Sequence, residues 1–161
     1  MARFVERLFM KRFYKKIYNK IYETIKKAAL SGQGVSKLSC AFCIGLYISF
    51  SPYPGFHTIM VLASSWLFGL NLPVTFLGAC VNNPWTMFPM YSLDYSLGYW
   101  LIHNFLGWNA PFAISLGKIF GAGKICLISF FVGGNLIGVL AAIVGYPIAF
   151  KVFEKIVAKS K

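Results

Sequence analysis

Three side chains in the middle of this chain carry, on paper, the chemistry of a nucleophilic centre: the hydroxyl of Ser51, the imidazole of His57 and the carboxylate of Asp94, with Thr58 as a second hydroxyl. A triad is defined by geometry, and the local sequence contains neither a nucleophile elbow nor an oxyanion motif. No catalytic residue is therefore assigned, and the expectation is a protein that is not an enzyme. Asp94 is the sharpest of the three, because it is the only formally charged residue between Leu38 and Gly117. A carboxylate at the centre of a membrane helix costs about 3 kcal/mol on insertion scales, so it must face a partner or water. Two roles fit: a proton-linked group, or a structural acid bonded to a tyrosine or asparagine of a neighbouring helix. Cys40 and Cys43 have Cys-x-x-Cys spacing, but no second pair or nearby histidine completes a metal set. No metal and no cofactor is expected.

The polar residues concentrate where proline interrupts an apolar run. The first break is Ser51-Pro52-Tyr53-Pro54-Gly55, followed by Phe56, His57 and Thr58, and the second is Asn82-Asn83-Pro84-Trp85-Thr86. Proline lacks the N–H a helix needs and clashes with the preceding turn. At membrane depth the freed backbone groups must be buried in protein or face a water-filled cavity. The ligand or cavity candidates are accordingly Ser51, Pro52, Pro54, Gly55, His57, Thr58, Asn82, Asn83, Pro84 and Thr86, with Tyr91, Asp94 and Tyr95 beyond the second break. Asn82 and Asn83 can cap the broken helix or contact a polar ligand, capping being the ordinary role. Gly45 precedes Pro52, and Gly78 precedes Pro84, at similar offsets. Transporters often carry such paired interrupted segments.

The elements that must position these groups are apolar helices. The chain is 58% hydrophobic and 12% charged, against roughly 25% charged residues in soluble domains. Sixteen basic residues and four acids give a net charge of +12, with ten of the basic residues in the first 37 positions and four in the last eleven. Charge in terminal blocks around an apolar middle reads as cytoplasmic ends flanking a bilayer. A nucleic-acid partner is not expected, since the remainder could not make a soluble core.

Residues 12 to 30 read as an amphipathic helix. Arg12, Lys15, Lys16, Lys20, Lys26 and Lys27 share one face, opposite an aromatic and aliphatic face. It fits the anionic headgroup layer, or a docked position on the protein's own cytoplasmic side. Leu38 to Phe50 and Phe56 to Leu70 are uncharged runs of thirteen and fifteen residues. Each is about 20 Å long as helix, short of the roughly 30 Å hydrocarbon core. They predict a re-entrant hairpin or two thin passes. Met87 to Trp108 is long enough for a full pass, Asn109 to Lys124 reads as a loop or short surface helix, and Ile125 to Phe150 is uncharged for twenty-six residues. In that last span Gly134, Gly138 and Ala142 recur every fourth position, a face for close helix packing or a homodimer.

Residues 41 to 98 resemble a bacterial membrane-protein family catalogued as domain of unknown function 2062. The resemblance rests on Ala41-Phe42, Ile44-Gly45, Phe50, Pro52, Pro54-Gly55-Phe56-His57-Thr58, Asn71-Leu72-Pro73, Gly78, Asn83-Pro84-Trp85-Thr86, Pro89, Tyr91, Tyr95 and Gly98. It implies a bacterial membrane protein and supplies no catalytic residue. Members joined to glycosyltransferase domains suggest envelope or lipid-linked sugar metabolism. The expected architecture is all-α and polytopic, with two proline-broken, thin or re-entrant elements and two fuller spans. It divides into a basic interfacial segment (1–34), a membrane domain (35–150) and a basic cytoplasmic tail (151–161). Both termini are expected on the cytoplasmic face of the inner membrane. The expected function is transport or flipping of a lipid-linked or small polar solute. The alternative is a scaffold partner of an envelope-biogenesis enzyme.

Overall fold

The computed structural model describes residues 15–16, 19–20, 22–28, 32–53, 55–105, 107, 113–115 and 124–159. The fold is helical. Beyond the helical residues 22–28, five helices follow in order among the described residues: α1 (Val35–Phe50), α2 (His57–Leu67), α3 (Leu72–Ala79), α4 (Pro84–Trp100) and α5 (Leu127–Ala158), with a π-helical turn Leu101–Phe105 after α4. A short antiparallel ladder, β1 (Ala113–Ser115) with β2 (Lys124–Cys126), sets Ile114 opposite Ile125 just before α5. The sequence pattern predicts a loop or surface helix there; β-branched Ile114 and Ile125 make a strand pair instead.

Each helix ends for a local reason. Ser51 precedes Pro52 and is held extended (φ −68°, ψ 137°), so α1 stops at Phe50. The Ser51 N–H and hydroxyl both donate to the Ile48 carbonyl, at 3.1 and 2.7 Å. Gly55, at φ +87°, turns the chain into α2. Helix α2 closes on Gly69 at φ +57°, with the Leu70 N–H donating to the Ser65 carbonyl at 2.9 Å, the Schellman arrangement. Asn71 caps α3, its side chain accepting from the Val74 N–H at 3.3 Å.

Helices α1 and α2 form a hairpin: Gly69, past the end of α2, lies 3.7 Å (measured from where a Cβ would stand) from the Lys37 ammonium at the start of α1. Helix α5 runs antiparallel to α1, pairing Ser36 with Tyr146 and Tyr47 with Asn135, and setting Pro52 against Gly134. Gly134 and Gly138 thus pack on α1 within the same chain, against Phe50 and Pro52 and against Tyr47, while Ala142 lines the core. The stripe that suggested a homodimer is occupied internally.

The core sits at the end of the bundle where the N-terminal segment docks. Ile25 and Ala28 are buried there with Leu38, Ala41, Cys43, Val74, Ala149 and Phe153. Residues 22–28 are helical, and their apolar side meets protein, the docked position of the two anticipated. Lys15, Lys16, Lys20 and Lys27 are exposed and Lys26 is half-buried, while Arg12 lies outside the described residues.

Helix α5, of 32 residues, is long and apolar enough to cross a membrane, and only 22% of its most apolar stretch is buried. A core helix of a soluble protein would be mostly covered. At 1.5 Å per residue it is about 48 Å long. It continues through Lys151 to Ala158, so the basic tail is its last two turns and no break falls at 150. Helix α4 starts at Pro84, earlier than the expected Met87, and ends at Trp100, followed by the turn Leu101–Phe105; the expected end at Trp108 lies outside the described residues. Among the described residues α5 alone meets the length and composition of a span; the others are shorter.

Candidate functional site

The two breaks meet. They do so because α1 and α3 cross through glycine. A Cβ on Gly45 would overlap the Thr75 carbonyl oxygen, and one on Gly78 would overlap the Phe42 carbonyl oxygen. Without those Cβ atoms the backbones touch, the same device that packs small-residue helices in membranes. The contacts are reciprocal under a shift of thirty-three positions, Phe42 matching Thr75 and Gly45 matching Gly78. Both helices then leave the crossing toward the same end, where each is broken.

Between the breaks lies a cavity of about 250 Å³ lined by Gly55, His57, Ala79, Asn82, Asn83, Met87 and Tyr91. The His57 Nε2 and the Asn82 Nδ2 stand 3.5 Å apart across it. That is the outer limit of a hydrogen bond, and the amide can donate only when Nε2 keeps its lone pair. Tyr91 is fixed edge-on against Phe130 of α5, with ring centroids 5.1 Å apart. An imidazole, two amides and a phenol therefore line one cavity.

Asn83 does the work of a cap. Its side chain accepts from the Trp85 and Thr86 N–H groups at 3.0 and 3.1 Å, and Thr86 Oγ1 accepts from the Asn83 N–H at 2.9 Å. This closed capping box satisfies the donors that Pro84 exposes by starting α4. The Thr86 hydroxyl also bonds the Val81 carbonyl at 2.8 Å. Asn82 is left free to face the cavity.

The structure does not gather all the candidates. Ser51 and Pro52 are buried and do not line the cavity, although the Ser51 backbone hydrogen-bonds His57; the Ser51 hydroxyl is committed to Ile48 and touches the Met60 sulfur at 3.8 Å. Thr58 is exposed, and Tyr95 packs toward Tyr99, centroids 5.9 Å apart. Pro54 lies outside the described residues. Asp94 is fully buried, and neither of its carboxyl oxygens has a hydrogen-bond partner. With Ser51 bonded to backbone and Asp94 bonded to nothing, His57 is not part of a triad.

Sequence reasoning missed Met87 and Ala79 as lining residues. Both are one turn from a candidate asparagine, so helical spacing could have found them. It also missed that Tyr53 of the first break borders a second, larger groove. This one, about 520 Å³, is lined by Tyr53, Leu101, Phe131, Val132, Asn135, Leu136 and Val139. Five of its seven lining residues are hydrocarbon, and the Asn135 amide is already bonded to the Tyr47 hydroxyl and the Phe131 carbonyl, so the smaller cavity is the better candidate for polar recognition.

Two proline-broken helix pairs meeting at a polar cavity, beside one long exposed apolar helix, define the class: a small helical protein built around paired breaks. The chain matches the family model "Uncharacterized protein conserved in bacteria (DUF2062)" over residues 20–161. It belongs to that family, as the resemblance in residues 41 to 98 implies. No curated protein and no solved structure matches it.

Proposed function

We propose that this is a multi-pass protein of the bacterial inner membrane whose cavity between the breaks admits a polar headgroup or small solute and assists its passage. The observation that carries the reading is that residues of both breaks, His57 and Asn82, face each other across one cavity. Irregular backbone at membrane depth is tolerated where it lines such a space, and paired broken helices are where transporters bind. Exposed Trp66, Leu67, Trp85 and Phe88 suit a lipid surface. In this reading the α1–α2 hairpin enters and leaves on one side. The docked N-terminal segment and the end of α5, with Lys151, Lys155 and Lys159, share that side and face the cytoplasm and its anionic lipids.

A lipid headgroup is favoured over a free solute by the first break itself. Gly55 borders the polar cavity while Tyr53 borders the apolar groove, so a headgroup and an acyl chain have adjoining places. The scaffold alternative loses its most obvious docking face, since Gly134 and Gly138 are covered by α1.

The test is reconstitution into vesicles holding an anionic phospholipid with a fluorescent headgroup, read by chemical quenching of the outer leaflet. The wild-type chain is expected to speed loss of the inner-leaflet signal, and the double substitution His57→Ala, Asn82→Ala to abolish that gain. A rate equal to protein-free vesicles would overturn the reading.

A further inference from the structure

The cavity leaves Asp94 unexplained. The carboxyl is fully buried with both oxygens unpartnered, at the point where α4 and α5 cross. A Cβ on Gly98 would overlap the Ser129 carbonyl oxygen, and one on Gly133 would overlap the carbonyl oxygen of Asp94 itself. The helices therefore touch backbone to backbone at the acid and one turn beyond it.

What could share this site is limited by size and by ligands. A metal cation needs several oxygens at once, six or more for the hard divalent ions, and the carboxyl has no polar atom bonded to it. Among the described residues the titratable groups on the packed elements are few. Cys126, one turn before Ser129, is buried at the start of α5, and Tyr91, Tyr95 and Tyr99 share α4. His103 is stacked on Tyr99, and His57 faces Asn82. The cations of the packed helices are remote: Lys37 lies at the far end of α1, and Lys151 is about 27 Å along α5 from Gly133. Among the described side chains none supplies the carboxyl with a counter-charge or a hydrogen bond, and an unpaired buried carboxylate costs several kcal/mol.

We propose that Asp94 is a proton-binding site closed by the Gly98–Gly133 crossing. With the helices in contact the side chain is the carboxylic acid. When α4 parts from α5, water enters, the O–H bond breaks, and the proton passes to that water and leaves a hydrated carboxylate. The same movement shifts Tyr91, one turn earlier on α4 and part of the cavity wall, so proton release and cavity shape are linked. Proton binding at Asp94 is read directly, without any transported substrate, and so stands or falls apart from the transport reading.

The experiment is infrared difference spectroscopy of the full chain in lipid vesicles at neutral pH. A protonated-carboxyl band is expected in the wild type and absent in Asp94→Asn; no such difference would overturn the proposal. On transfer to heavy water the band is expected to shift more slowly than the exposed amides near Lys155 exchange, because the crossing must open first. An immediate shift would remove the crossing's role. Gly98→Ala, which forces the helices apart, is expected to lose the band while keeping its helical circular dichroism. A folded Gly98→Ala protein retaining the band also overturns the proposal, and the exchange measurement on the wild type does not depend on that variant folding.

Discussion

Gly45 on α1 and Gly78 on α3 stand at one crossing, each in the place where a side chain would strike a carbonyl of the other helix, Thr75 in one direction and Phe42 in the other. This reciprocal contact aligns the two breaks. Gly45→Ala or Gly78→Ala must push the helices apart, an overpacking change that costs about 1–3 kcal/mol. Both are expected to lower the thermal midpoint in mild detergent. Gly34→Ala, where a Cβ meets nothing within 4 Å, serves as the neutral comparison; equal effects at all three positions would contradict the crossing.

The capping box makes a separate prediction. Asn83→Ala leaves the Trp85 and Thr86 N–H groups without an acceptor and is expected to cost about 1 kcal/mol, as loss of an N-cap does. Asn83→Asp or Asn83→Ser keeps an oxygen in place and should recover most of it. Denaturant or thermal unfolding of the three variants is the check. If Asn83 acts mainly by touching a ligand, all three should unfold like the wild type.

Gly138 tests whether the small-residue stripe of α5 works inside the chain. A Cβ there would come within 2.9 Å of the Tyr47 ring, and larger side chains reach further into α1. Gly138→Leu is expected to destabilise the single chain and disturb the Tyr47–Asn135 hydrogen bond. The readouts are unfolding and hydrogen exchange of α1. A variant that unfolds normally and changes only oligomeric state in detergent would place the stripe at a subunit interface.

Topology follows from the hairpin. Single cysteines at Gly69, Lys37 and Lys159, in a chain lacking the four native cysteines, are expected to react with an impermeant reagent from the same side of sealed vesicles. Cysteines at Tyr53 and Trp85 should share a second pattern with each other. Labelling of Gly69 from the side opposite Lys37 would replace the hairpin with a through pass.

How much of this was legible beforehand depends on the range of the interaction. Proline and small polar residues act within one turn of chain, so the breaks at Pro52 and Pro84 and the cap at Asn83 are readable from residue type alone, whereas the stop at Gly69 lies inside the run read as apolar from Phe56 to Leu70. The apolar length of α5 is readable for the same reason: twenty-six uncharged residues have few other uses. The amphipathic pattern of the N-terminal segment marks one apolar face, but periodicity is identical whether that face meets lipid or protein. The burial of Ile25 and Ala28 beside Phe153 decided it.

The sequence by itself therefore determined the helices, their interruptions, the distribution of charge and the isolation of Asp94, because each depends on a residue and its near neighbours. Only the tertiary structure decided which residues share a space. It brought His57 to Asn82 through the Gly45–Gly78 crossing, and turned Gly134 and Gly138 inward onto α1. It also sent Asp94 away from the cavity into the contact of α4 with α5. These outcomes depend on backbones approaching closely enough to touch, and that approach is a property of pairs of helices, written in neither helix alone.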